Sequence, residues 1–226
     1  MLHLETVEYS TLELLRKLQS LPILRDTRLV GGTALALQLG HRKSVDLDFF
    51  GTITCEAEEL ISAIKTVASL IVLKESPHIH IYLVDGIKVD IVNYRYQWLD
   101  KPVVDQGIRM AGIKDIAAMK VTAVIGRGTK KDFIDISFLL HHLSLNEILD
   151  FYSTKYDDGS VFMAMKSLVY FDDAEKEPMP DMLINKSWEQ VKDISYQRFL
   201  EAFALSTRKI LLTLRVTFGN NKKIMI

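Results

Sequence analysis

Cysteine is almost missing: Cys55 is the sole thiol in 226 residues. That excludes an internal disulfide framework and suits a reducing compartment. Neither sign of charge is in excess, since 28 Lys and Arg against 29 Asp and Glu give a net charge of −1. The broad basic footprint of a general nucleic-acid binder is therefore excluded, and only local basic patches remain. No apolar run approaches the roughly 18–20 residues that span a bilayer, so no membrane partner is expected. The opening stretch MLHLETVEYS has acidic groups early and no basic start to an apolar core, which argues against a secretory signal. No internal repeat is found. The expected setting is the cytoplasm.

What the chain does have is ordinary globular material, 48% hydrophobic and 25% charged, enough for one substantial domain or two small ones. Residues 8–19 place Leu12, Leu15 and Leu18 at helical spacing, and Leu21-Pro22 closes that helix. A short strand is expected over 27–30, a turn at Gly31-Gly32, then a helix of strong formers ending at Gly40. A second strand is expected over 45–50 and a helix over 56–70. Asp85-Gly86 between two β-rich runs marks a hairpin. From residue 114 the pattern becomes helical, with helices expected in KDIAAMKVTAVIG, KKDFIDISFLLHHL, NEILDFYSTKY, SVFMAMKSLVYF and over 187–205. Residues 172–182 read as an acidic, proline-interrupted loop. The fold class is thus α+β: an α/β-type N-terminal half over 1–110 and a helical part over 111–226. The tail after about residue 206 is read as disordered.

The chemistry concentrates in residues 29–50. Asp46 and Asp48 are two apart within an apolar run, so on a strand both face one side while Leu47 and Phe49 face the core. Two close carboxylates repel, and burial worsens the cost. A divalent cation relieves both, and oxygen ligands suit Mg²⁺ or Mn²⁺. A third carboxylate, Asp90, lies in the β-rich run IKVDIVNY. If that strand lies beside the first, about 4.8 Å away, the three acids form a cluster able to hold two metals. Gly31 and Gly32, between a strand and a helix N-terminus, let backbone N–H groups approach a phosphate, and Thr33 adds a hydroxyl. Phosphates on the bend and metals on the acids describe phosphoryl or nucleotidyl transfer.

Gly31-Gly32-Thr33, a gap of twelve residues, then Asp46-Leu47-Asp48 resembles the signature of the polymerase-beta-type nucleotidyltransferase superfamily, with Asp90 matching its third carboxylate. More narrowly, GGTALALQLGHRKSVDLDFF with IKDIAAMKVTAVIGRGTKKDFIDISFLL downstream, and DAEKEPMP ahead of Trp188, is similar to the AbiEii/AbiGii toxin family. The resemblance covers about residues 10–195. It implies a nucleotidyltransferase-fold mixed sheet with flanking helices and then a helical domain. It also implies an NTP substrate with Mg²⁺ on Asp46 and Asp48, and Asp90 as ligand and general base. The acceptor it implies is a hydroxyl, in some members on tRNA, and the setting a toxin–antitoxin pair with an antitoxin partner and a phage-defence role. Many superfamily members carry serine after the first glycine. Here Gly32 stands there, so Thr33 or backbone N–H groups must serve the triphosphate.

Of the remaining polar residues, Arg42 is expected to neutralise a phosphate or pair with Asp46, with Ser44 beside it as a nucleotide contact. His41 has no partner visible in the sequence. The resemblance sends Lys120 into the cleft towards phosphates. Arg127, Lys130 and Lys131 form the local basic cluster, for RNA, triphosphate or solvent. Asp132 and Asp135 share a helix face and read as a cap and a salt bridge to Lys131 or Arg127, with a Lys120–Asp135 pair as support for the site. His141 and His142 suit a helix C-terminus. Two other readings stay open: a non-catalytic nucleotide- or partner-binding regulator that kept the fold, and NTP-dependent modification of a protein.

Overall fold

The structure is a computed structural model that describes the backbone of residues 1–220 and the side chains of residues 1–204. Helix α1 (Tyr9–Ser20) buries Leu12, Leu15 and Leu18 as their spacing predicts. It leads to β1 (Thr27–Val30), α2 (Gly31–Leu39), β2 (Leu47–Gly51) and α3 (Ala57–Lys65). Three features differ from expectation, each for a local reason, while the Asp85-Gly86 hairpin forms as expected. β2 begins at Leu47 rather than residue 45, because Val45 turns to solvent and the Asp46 carbonyl accepts the Thr33 hydroxyl. α3 stops at Lys65, and the apolar run after it is a strand, β3 (Leu70–Glu75). The Asp85-Gly86 hairpin joins β4 (Ile79–Val84) to β5 (Ile87–Asn93), and both turn residues have positive φ, 47° and 81°. A second hairpin, β6 (Val103–Asp105) with β7 (Ile108–Met110), turns on Gln106 and Gly107 at φ 50° and 78°. It has the same geometry without the Asn or Asp that announces such a turn.

The strands form one mixed sheet in the order β3-β4-β5-β2-β1-β7-β6. β2 is antiparallel to β1 and parallel to β5. One face carries Leu47, Phe49, Val89 and Ile91, all fully buried in the core with Leu60 and Ile64 of α3 and Leu15 and Leu18 of α1. By strand alternation the other face carries Asp48, Phe50, Asp90 and Tyr94.

The helical half follows. Its elements are α4 (Ile113–Gly126), α5 (Lys130–Leu139), α6 (Leu145–Lys155), α7 (Val161–Ser167) and α8 (Trp188–Asn220). α4 is the hub. It packs on α5, α6 and α7 within this half and on α2 across to the sheet. Its small side chains, Ala117 and Ala118, are fully buried and let the neighbours approach. α6 begins with a capping box, Ser144 and Glu147. α8 continues beyond its expected end at 205. Residues 221–226, the rest of the tail read as disordered, lie outside the described residues.

Candidate active site

The parallel pairing of β2 with β5 decides the position of the acids. Asp48 is the register partner of Asp90, so the two carboxylates stand on neighbouring strands of one face, each half-buried. Asp46, just before β2, lines the same cleft of about 240 Å³. Burial and the adjacent Asp90 push the Asp48 carboxyl up to about 6 from its ordinary 3.8, against the pull of Lys120 and Lys88. Asp90 is drawn onto Lys88, whose Nζ lies 2.6 Å from Oδ1. Lys88 is a neighbour in sequence whose role the pattern did not suggest.

The glycine bend is built around these groups. Gly31 has φ +68°, and a Cβ there would stand 2.2 Å from Asp48 Oδ2. Only glycine fits both the backbone conformation and the carboxylate. A Cβ on Gly32 would stand 2.4 Å from Arg42 Nη2 and 3.4 Å from Ser44 Oγ. The place of the superfamily serine is therefore faced by a guanidinium. Thr33 lines the cleft, but its hydroxyl is spent on the loop between α2 and β2, on Ser44 Oγ at 2.9 Å and on the Asp46 carbonyl.

Behind the bend lies a buried charge network that sequence reasoning largely missed. Asp135, fully buried on α5, takes His41 Nε2 at 2.8 Å, Arg42 Nε at 2.7 Å and Nη2 at 2.9 Å, and Lys120 Nζ at 2.5 Å. Arg42 thus pairs with Asp135 and not with Asp46. Burial alone would raise the Asp135 carboxyl, but Lys120 and Arg42 hold it well below the usual carboxylate range. Burial lowers the His41 imidazole; its Nε2 goes to Asp135, and its Nδ1 is buried without a partner among the described residues. Asp132, also buried, accepts from Lys120 at 3.1 Å, Arg127 Nε at 2.8 Å and the Thr129 hydroxyl at 2.7 Å. Burial opposes its ionisation, yet Arg127 and Lys120 hold it at about 2. Thr129, not Asp132, is the N-cap residue of α5.

Lys120 and Arg127 nevertheless line the cleft, with Lys131. Lys130 instead turns away and donates to the Glu175 and Glu177 carbonyls. The loop carrying His41 and Arg42 is also held from outside. Lys43 N donates to Asp181 O at 2.8 Å, and Leu183 N donates to His41 O at 3.0 Å. His141 lies past the end of α5, with Nε2 2.8 Å from Lys186 Nζ.

A second cleft, of about 700 Å³, also reaches the acids. It shares Asp48, Asp90, Lys120 and Arg127 with the first. Its walls are aromatic: Phe50, Tyr94 and Tyr96 from the sheet side, Tyr152 from α6 and Tyr156 just past its end. No short-range motif announces this wall, whose members are up to 106 positions apart in the chain.

Among the described residues, no three His, Cys, Asp or Glu side chains form a group that could hold a metal. Asp46, Asp48 and Asp90 line one cleft, with Asp90 leaning on Lys88. The donor chemistry still suits a hard divalent cation. The acids are oxygen donors on one cleft, and the Asp48 anion is disfavoured as it stands, a penalty that a cation removes.

A family model described as "Nucleotidyl transferase AbiEii toxin, Type IV TA system" matches residues 14–212. An uncharacterized protein of Aquifex aeolicus (strain VF5) is 39% identical over 196 residues, which is 84% of this chain and 94% of that protein. Among solved structures, JHP933 from Helicobacter pylori has a TM-score of 0.54 at 20% identity, covering 92% of this chain and 99% of that one. MenT4, a nucleotidyltransferase toxin from Mycobacterium tuberculosis H37Rv, has a TM-score of 0.53 at 15% identity, covering 81% of this chain and 80% of that one. The antibiotic-resistance factor ANT(2'')-Ia has a TM-score of 0.51 at 14% identity, covering 66% of this chain and 92% of that one. At these identities the three structures show a shared nucleotidyltransferase fold.

Proposed function

The chain belongs to the AbiEii family of nucleotidyltransferase toxins, and from that premise we propose that it moves NMP from an Mg²⁺-bound NTP to a hydroxyl on RNA, tRNA in particular. Nucleotidyl transfer is the family's activity, with an NTP and a divalent metal in general use. The observation that carries the finer reading is the pairing of Asp48 with Asp90 beside the Gly31-Gly32 bend.

Residues 1–110 hold nucleotide and metal in this reading, and the helical domain over 111–226 contributes Lys120. Asp46, Asp48 and Asp90 are the groups that would hold Mg²⁺ or Mn²⁺. Bound there, the metal would neutralise the phosphates and lower the barrier to nucleophile formation. The chain's own residues do the rest. Gly31, Gly32 and the start of α2 offer backbone N–H groups to the triphosphate. Arg42, Ser44, Thr33 and Lys120 line its place, with Arg42 supplying positive charge. The acceptor oxygen attacks the α-phosphorus and a new P–O bond forms. The bond to the β-phosphate oxygen breaks, pyrophosphate leaves, and the hydroxyl proton passes to the Asp90 carboxylate.

The type IV assignment points to an antitoxin partner that restrains this activity in the cytoplasm. No helix among the described residues is long and apolar enough to cross a membrane. The test is incubation with labelled NTP, Mg²⁺ and total cellular RNA, with Asp48→Asn and Asp90→Asn as controls. Label in RNA that both variants abolish is the expected result. Tight NTP binding without turnover supports the regulator, label in protein supports a protein acceptor, and full activity in either variant removes the proposal.

A further inference from the structure

The two clefts meet at Asp48, Asp90, Lys120 and Arg127 and differ in almost everything else. Resting on the transfer reading above, their arrangement fixes where the acceptor must come from. The smaller cleft, about 240 Å³, has Gly32, Arg42, Ser44 and Lys131 on its walls, chemistry for a phosphate chain. In phosphoryl transfer the attacking and leaving oxygens lie roughly in line across the phosphorus. With the phosphate chain in the small cleft, the large one, which shares Asp48 and Asp90 with it, offers the attacking hydroxyl its approach. At about 700 Å³, that cleft lies in the upper part of the range that holds a drug-sized ligand. It has room for an acceptor's end beside the nucleoside of the NTP.

The walls say what kind of end this is. Tyr94 lies four residues beyond Asp90 on the same face. Its ring centroid is 5.2 Å from Phe50 and 5.5 Å from Tyr96, and Tyr96 is 4.6 Å from Tyr156. The Tyr94 and Tyr156 hydroxyls are spent on each other at 2.8 Å, so these side chains present ring surface rather than hydrogen bonds. Apart from Asp48 and Asp90, the lining carboxylate is Asp158, which already holds Arg95 at 3.1 Å and Tyr96 Oη at 3.4 Å. Beyond the two acids at the reacting centre, a polycationic acceptor would find no unpaired anion on the described walls. Lys155 Nζ lies 5.0 Å over one face of Tyr94, and the exposed Arg95 guanidinium, 4.8 Å over Tyr96, is the group an incoming ring displaces; a base on aromatic faces is the sequence-tolerant way to grip a single strand.

We infer that the aromatic cleft seats the terminal nucleoside of a single-stranded nucleic acid, its base against Tyr94 and Tyr96 and its hydroxyl directed at Asp90. Tyr96 is the specificity-determining residue, because it is half-buried on the cleft wall and joins the Tyr94 ring to the Tyr156 ring.

The experiment is equilibrium binding of a 5′-fluorescent single-stranded RNA, once with a normal 3′-terminal nucleotide and once with an abasic 3′-terminal ribose. Wild type should bind the intact end about 5- to 150-fold more tightly, the worth of one stacked base. Tyr96→Ala should bind both ends alike, and Tyr96→Phe should restore the preference. Equal binding of the two ends by wild type overturns the inference. So does an equal loss for both ends in Tyr96→Ala, or no binding of either oligonucleotide. Calorimetry with Mg²⁺–NTP on the same wild-type protein keeps the two readings apart. Absence of heat there removes the transfer reading, while the end preference still decides the aromatic cleft.

Discussion

The Cα of Gly32 faces the guanidinium of Arg42 so closely that a Cβ would stand 2.4 Å from Nη2. The guanidinium has little freedom to retreat, because Nε and Nη2 are held by Asp135 and Nη1 by the Lys43 carbonyl at 2.9 Å. Restoring the serine common in the superfamily should therefore harm this protein. Gly32→Ser is expected to raise the KM for NTP at least about tenfold and leave the far-ultraviolet circular dichroism unchanged. A serine variant that binds NTP as well as wild type would show that Arg42 yields easily and does not set the site.

Asp48 predicts a pH dependence with a definite sign. Its folded-state pKa, about 6, lies above the ordinary 3.8. Between those values the folded protein keeps a proton that the unfolded chain has released. The group therefore favours folding at low pH and loses that contribution as pH rises through about 6. In chelator at pH 7.5, Asp48→Asn should melt roughly 2–4 °C higher than wild type, as for about 1 kcal/mol in a chain of this size. The difference should vanish near pH 4. Mg²⁺ should raise the Tm of wild type at pH 7.5 and leave the variant unmoved. A wild-type Tm indifferent to Mg²⁺ at millimolar concentration would remove the metal from Asp48.

Much of the frame was legible because it is local. The alternation around Asp46 and Asp48, the Asp85-Gly86 turn and the leucine spacing of α1 each encode their structure within a few residues. β3 was not legible, since an exposed edge strand of apolar residues has neither alternation nor a turn signal. The β6–β7 hairpin was hidden by three-residue strands and a Gln-Gly turn. Within the site, Asp48 and Asp90 could be placed because each interrupts a β-rich run. The partnership of His41 with Asp135 spans 94 positions, and nothing local in either residue points to the other. The tyrosine wall was equally silent, because tyrosines in strands and helices serve most often as plain core.

The Asp135 hub makes a larger prediction about stability. Its carboxylate is fully buried and compensates Arg42 and Lys120, both nearly buried themselves. Asp135→Asn keeps the shape and one acceptor but leaves buried Arg42 against a neutral amide and Lys120 with Asp132 as its remaining anion. Breaking a buried pair in this way costs roughly 3–5 kcal/mol, or about 6–20 °C in Tm. The loss should be accompanied by weaker NTP binding, because Arg42 and Lys120 lose their shared anchor. A variant that melts within 2 °C of wild type would mean that water reaches the network.

Asp115 and Lys155 form a second buried pair, and its two halves should not be equivalent. Lys155 Nζ donates to Asp115 Oδ1 at 2.7 Å and to the Gln97 carbonyl at 2.8 Å, with the Trp98 ring 4.6 Å away. Asp115 additionally accepts the backbone N–H groups of Leu99 and Asp100, at 2.9 and 3.1 Å. Lys155→Met removes a charge and leaves Asp115 with two amide donors, so its ion is still partly compensated. Asp115→Ala orphans two amides and a buried ammonium at once, each costing about 1–3 kcal/mol or more. Urea midpoints should rank wild type above Lys155→Met and Lys155→Met well above Asp115→Ala. The double variant should recover part of the Asp115→Ala loss, because the unpaired ammonium is gone while the orphaned amides remain. Equal losses in the two single variants would mean that the ion pair alone matters, and that the 97–100 segment beside Tyr94 is not held by its amides.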